Sequence, residues 1–361
     1  MAFATINKGG DYFVPVTYTG TGSSTSITTG FGPDLVWIKG DVGGTAHYWF
    51  DSVRGTGKNI SSNSADAEVN WTGGPEGSVS AFNATSFSLS ADTNGNANYS
   101  GRSYISWSWR ASDSAAVSNT SGTITSTVSV NSTSGFSIVS YTGDGSSSAT
   151  VGHGLGTTPK IVLVKSRSGG GNWMMFNGSG ALNSSQNIAL NLTIGADGVS
   201  VFTDGIVNPS SVTSSVFGFT SGSGGLSNVN GNGVTYVAYC FANVKGFSQF
   251  GYYTGNGSND GPFLYTGFKP ALFMSYEVSS GGPNNYRLRD KARSPYNVVT
   301  ATYYANTSGA QISENDIDFV SNGIKIRNNG GQENESGATY VYFSFAENPF
   351  VLTDGTPVTA R

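Results

Sequence analysis

Cysteine is almost missing from this chain: Cys240 stands alone, which excludes an intrachain disulfide and leaves stability to packing or to association between chains. Charge is scarce as well. Asp, Glu, Lys and Arg together make up 11% of the residues, against about a quarter in an ordinary globular domain, so the surface is read as neutral and polar. Net charge is −4 and no Lys/Arg cluster occurs, which removes the electrostatic grip that nucleic acid requires. No apolar run approaches the ~20 residues of a membrane-crossing helix, and the opening Met1 to Gly10 lacks the apolar stretch of a secretory signal. The expectation is a soluble protein made in a cytoplasm, with no membrane insertion.

In place of charge the chain carries Ser, Thr, Asn and 51 glycines in 361 residues, a composition that favours strands and turns over long exposed helices. Disordered chains share the low charge but are poor in aromatics. Here Phe, Tyr and Trp reach 12%, enough to predict a folded core.

One pattern is written three times. Tyr-Thr-Gly occurs at Tyr18, Tyr141 and Tyr253, each extended to Gly-x-Gly by Gly22, Gly145 and Gly257. A Gly-x-x-Pro approach follows, ending at Pro33, Pro159 and Pro270, and leads into the apolar runs Leu35 to Lys39, Ile161 to Lys165 and Leu272 to Tyr276. Each copy closes on an aromatic alternating strand, Tyr104 to Trp109, Tyr236 to Phe241 and Tyr340 to Phe345, preceded by a Gly/Asn/Ser-rich turn. A further alternating strand lies upstream at Phe87, Val216 and Ile324. Landmarks recurring in one order are the signature of tandem units.

Alternation of period two assigns these runs to strands. The chain is therefore read as all-β, with three tandem sandwich or jelly-roll-like units and few or no helices. Their boundaries are placed at 1–112, at 113–246 with a leading connector strand, and at 247–361 with a C-terminal tail. Ile105, Trp107 and Trp109 are expected on one face and Ser106 and Ser108 on the other. Thr123 to Val130, rich in β-branched residues, is read as an exposed strand or extended connector. The short junction Val244 to Gln249 implies close packing of the second and third units.

Chemistry is hard to find in this sequence. A metal site needs clustered His, Cys or carboxylates, and the chain offers only His47, His153, Cys240 and scattered acids. His47 is read as a polar strand residue, His153 as a loop residue and Cys240 as a buried inert thiol. Glu314, Asp316 and Asp318 alternate and so share a strand face. Two such carboxylates are what glycoside cleavage uses, yet a solvated acidic edge that discourages sheet aggregation is the simpler reading. The Gly-x-Gly elements, Gly143-Asp-Gly145 among them, lack the Gly-Lys-Ser/Thr of a phosphate loop and are read as turns. The Asn-x-Ser/Thr sequons at Asn59, Asn83, Asn131 and Asn191 follow from the composition. Trp37, Trp49, Trp71 and Trp173 are candidate stacking platforms for sugars, although rings at strand positions more often lie in a core. No catalytic, cofactor or metal residue is assigned, and carbohydrate contacts stay unassigned.

The opening Met1 to Lys8, the run Pro33 to Lys39 with Asp51-Ser-Val-Arg-Gly55, and the closing Phe345-Ala-Glu-Asn-Pro-Phe350 resemble repeat-containing virion proteins of marine and cyanobacterial tailed bacteriophages. Gly152 to Gly156, Tyr236 to Ala242, Tyr253 to Gly257 and Ser294 to Asn297 carry the resemblance through the other two copies. It implies a non-enzymatic structural component of the virion surface, a tail fibre or appendage that contacts the host or holds neighbouring virion proteins. A capsid decoration protein is the alternative, and a spike that binds or cleaves host-surface polysaccharide a third. A homo-oligomer, guessed as a trimer, is the expected assembly.

Overall fold

The computed structural model describes residues 4–112, 114–181, 187–191, 201–202, 206–220, 226–279 and 284–358. Among these the protein is all-β, with helical structure limited to two short 3-10 turns at Gly9–Asp11 and Pro209–Ser211. Three large antiparallel sheets dominate, and each draws its strands from one of the three sequence segments.

In each large sheet the closing strand is held between the Tyr-Thr-Gly strand and the apolar run after the proline. Ser103–Trp109 lies between Phe13–Thr19 and Leu35–Gly40. Thr235–Phe241 lies between Phe136–Thr142 and Ile161–Ser166, and Thr339–Pro349 between Ser248–Thr254 and Phe268–Glu277. The registers correspond residue for residue: Leu35 pairs with Trp109, Ile161 with Phe241 and Leu272 with Phe345. A small sheet covers the outer face of the first unit (Thr25–Thr28, Ser86–Leu89, Val79–Phe82) and of the second (Thr150–Gly152, Val216–Thr220, Ile206–Asn208). In the third unit the matching strands Phe263–Tyr265, Gly323–Ile326 and Ile312–Val320 stay continuous with the large sheet, because Ile312–Val320 pairs with both layers.

The recurring tripeptide builds the same corner three times. Tyr18 stacks on Tyr104, Tyr141 on Tyr236 and Tyr253 on Tyr340, with ring centroids 5.3, 5.2 and 4.9 Å apart. The first tyrosine of each pair donates its hydroxyl to a backbone carbonyl, of Ala97, Val229 and Glu333 in turn. The second accepts from a backbone N–H of the turn, of Tyr99, Gly231 and Glu335. Between them Asn98, Asn230 and Asn334 accept from the N–H after the first glycine and donate to the carbonyl of Ser23, Ser146 or Ser258. Gly20, Gly143 and Gly255 are required by this approach, since a Cβ on any of them would meet a carbonyl oxygen at 2.1–2.4 Å.

The interior departs from the expectation of a self-contained sandwich in each unit. Alternation sorts each closing strand onto two faces, but the ring-bearing face belongs to a core common to all three units. Ile105, Trp107 and Trp109 meet Val237, Tyr239 and Phe241 and also Val341, Phe343 and Phe345. Trp109, Phe241 and Phe345, which occupy equivalent positions, touch one another at centroid distances of 6.3, 5.5 and 5.7 Å and mark a pseudo-threefold axis. The opposite face of each large sheet packs on its own small core, around Phe50 and Phe87 in the first unit, Phe176 and Phe217 in the second and Phe273 and Phe319 in the third. Alternation reports which residues share a face and is silent on what covers it.

Two smaller expectations are corrected. The segment read as an exposed strand or extended connector does form a strand, Ser126–Asn131, but inside the second large sheet with Val128 and Ser129 buried, because its neighbours Val117–Asn119 and Phe136–Thr142 pair with both its edges. The tail folds back instead of extending: Val358 donates to the Phe350 carbonyl and Thr353 to the Asn7 side chain. Residues 359–361 lie outside the described residues.

Candidate functional site

The residues singled out in the sequence are placed mostly inside. Trp37, Trp49 and Trp173 are buried in the common core, so they offer no face to a sugar. Trp71 is half-buried and packs on Tyr48 and Phe50. The most exposed rings are ones that strand reading passed over, Tyr265 and Tyr296 of the third unit, at 64% and 83% exposure. Cys240 is fully buried, and burial pushes its thiol up to about 12. Among the described residues no group of His, Cys, Asp and Glu is arranged to hold a metal ion.

His47 lies at the inner end of strand His47–Asp51. Trp37 donates its indole N–H to Nδ1 at 3.0 Å, Trp107 stacks on the ring and Tyr303 meets it edge-on. Burial, helped by the nearby positive charges of Lys39 and Arg293, drives its pKa well below the usual histidine range. The imidazole is therefore neutral and structural. His153 is buried too, accepts from the Leu155 N–H and pairs with the Thr213 carbonyl, and burial lowers it as well.

The acidic run is not a solvated edge. Glu314 and Asp316 are both bridged by Arg287 and Arg289 at 2.8–3.2 Å, and Asp318 is paired with Arg327 at 2.6 Å. Arg289 is fully buried and also binds Glu333, which accepts from Ser275. Opposed charges remove the mutual repulsion that would turn these carboxylates into an acid/base pair. The alternating acids were legible in the sequence. Their partners were not, because Arg287 and Arg289 lie on a strand brought in by folding.

A further set of buried polar groups lies where one unit meets the next. Asp51 and Asp290 occupy equivalent positions, opposite Leu35 and Leu272, and each binds an arginine three residues on, Arg54 and Arg293. Each also accepts a hydrogen bond from the closing strand of another unit: Asp51 from the Tyr239 hydroxyl at 2.7 Å, Asp290 from the Trp107 indole at 3.1 Å. Lys39 and Lys165, again equivalent, reach across the same seams to the carbonyls of Ser308 and Ala65. Desolvation lowers both ammonium groups to about 8. At the third seam Tyr276 replaces the lysine and stacks on Tyr286, whose hydroxyl donates to the Ala189 carbonyl. The Asp-x-x-Arg repeated at 51–54 and 290–293 is the sequence signal for these groups.

These features define an all-β protein in which three sandwich units close into one ring around a shared aromatic core. Residues 8–349 match the family model described as Domain of unknown function (DUF7483), and the chain belongs to that family. No curated protein and no solved structure matches it.

Proposed function

We propose that the protein is a non-enzymatic structural component of the surface of a tailed-bacteriophage particle, a tail fibre or related appendage that contacts the host or holds neighbouring virion proteins. The observation that carries this reading is the placement of the buried ionic groups. Asp51, Asp290, Lys39 and Lys165 bond from one unit to the next, and the alternating acids Glu314 and Asp316 are engaged by Arg287 and Arg289. Such interactions lock a shape and engage these charged groups with one another. The resemblance of the repeats to virion proteins supplies the setting.

Gold-labelled antibody on intact particles of the phage that encodes the chain tests the placement. Label on the tail is the expected result. Label over the head assigns the protein to capsid decoration instead, and unlabelled particles defeat the virion reading. Incubation with host capsule or lipopolysaccharide is expected to release no new reducing ends; release would overturn the non-enzymatic reading. Association of copies as a trimer is part of the proposal, and a stable monomer by native mass measurement removes it.

A further inference from the structure

The pseudo-threefold repeat lets one seam serve as a mould for another. At the seam between the second and first units, Arg167 and Glu68 close the surface. Arg167 binds both oxygens of Glu68, at 2.9 and 3.0 Å, and donates to the Ser140 hydroxyl at 3.1 Å. Glu68 in turn accepts from Arg54 at 3.2 Å, and its backbone N–H donates to the Arg167 carbonyl.

Register identifies the counterparts at the seam between the first and third units. Asp41 stands where Arg167 stands, since its N–H donates to the Ser103 carbonyl as that of Arg167 does to Thr235. Thr17, opposite Ile105, matches Ser140, opposite Val237. Gln311 matches Glu68, because it is the residue before the strand start that pairs with Thr302 as Val69 pairs with Asn59, and Arg293 donates to its Oε1 at 3.2 Å as Arg54 does to Glu68. A long cation has thus become a short anion. The volume that the Arg167 head group fills is here an open cleft of about 420 Å³, lined by Thr17, Asp41, Ser103, Arg293, Tyr303 and Gln311. Among the described residues Asp41 has no ion-pair partner. Its side chain accepts one hydrogen bond, from the Tyr303 hydroxyl at 3.1 Å. Lys39, the nearby ammonium, has its hydrogen bonds directed at Thr45 and Ser308.

We propose that this cleft is a socket for a guanidinium group, the side chain of an arginine carried by a partner chain. The donors of a guanidinium placed as Arg167's is would meet the Asp41 carboxylate, the second lone pair of Gln311 Oε1 and the Thr17 hydroxyl, three acceptors around one planar cation. A carboxylate recognises that fork through charge-assisted hydrogen bonds. The socket stands on the internal comparison of seams and is independent of where in a particle the protein resides.

Titration of the full chain with N-acetyl-L-arginine amide, followed by chemical-shift changes or calorimetry, tests this directly. Saturable binding with a Kd on the order of millimolar is expected for one such contact. Asp41→Asn is expected to weaken it at least about tenfold, as loss of a charge-assisted bond implies, and the isosteric, uncharged citrulline derivative is expected not to bind. Free arginine, whose own carboxylate approaches Asp41, is expected to bind more weakly than the blocked form. The pair Asp41→Arg with Gln311→Glu rebuilds the Arg167–Glu68 contact, so it should abolish binding and melt higher than either single variant. The proposal is overturned by absence of saturable binding, by equal binding of the citrulline derivative, or by undiminished binding to folded Asp41→Asn. Tighter binding of free arginine overturns the partner-chain source.

Discussion

Asn230 is typical of the residues on which the repeated corner depends. Its amide accepts from the Asp144 N–H and donates to the Asp144 side chain and the Ser146 carbonyl, all from a side chain with no exposure. Asn230→Ala removes the side-chain partner of the Asp144 N–H and of the Ser146 carbonyl, while the Asp144 carboxylate keeps the Ser146 N–H, and is predicted to destabilise the protein by about 1–3 kcal/mol, read as a lower urea midpoint at unchanged slope. The two histidines give a pH signature. Both are held neutral in the folded protein, with pKa lowered by burial, whereas the unfolded chain takes up protons near pH 6.5. Stability is therefore complete above that pH and falls as pH drops through it, by on the order of 1 kcal/mol per pH unit per histidine. Urea unfolding at pH 7.5 and 5.5 checks the sign, and His153→Gln should flatten the difference. At this scale the sequence was informative for Tyr18, Tyr141 and Tyr253, whose recurrence foretold a common corner. It placed His47 on a strand but gave no sign of its cage, which is assembled from Trp37, Trp107 and Tyr303.

The strands show how a unit changes its interior without changing its shape. In the first unit Ile38, Phe50 and Ala97 pack together in the private core, and Val164, Phe176 and Val229 do so in the second. The equivalent positions in the third are Ser275, Arg289 and Glu333, a buried ion pair with a hydroxyl on it. Desolvation offsets most of the attraction in such a pair, while removal of one partner strands the other. Arg289→Met alone is predicted to cost about 3–5 kcal/mol. The triple variant Ser275→Val, Arg289→Met, Glu333→Ala, which restores the apolar pattern of its siblings, should recover most of that loss, as thermal denaturation of the two proteins will show. Element type was legible from alternation for the recurring strands, such as Tyr104 to Trp109 and its two counterparts. The strand Arg287–Asp290 carries no apolar alternation, so nothing in the sequence marked its arginines as core.

At the scale of the molecule the three units are neither beads on a string nor copies with private interiors alone. Each presents its most aromatic face to the same centre, where Trp109, Phe241 and Phe345 meet, and the polar seams run from each unit to the next. A single unit released from this ring would expose Ile161, Leu163 and Phe241 or their counterparts, an apolar face too large for an isolated soluble domain. Each set of landmarks falls in one large sheet, but tandem order along the chain carries no trace of closure. Rings more than a hundred residues apart become partners as each unit meets the next, and Trp109 meets Phe345 when the third unit returns to the first. Scanning calorimetry of the whole chain tests this architecture most directly. A shared core predicts one transition whose van't Hoff and calorimetric enthalpies agree; three transitions, or a calorimetric enthalpy about three times the van't Hoff value, would show units that fold independently and contradict it.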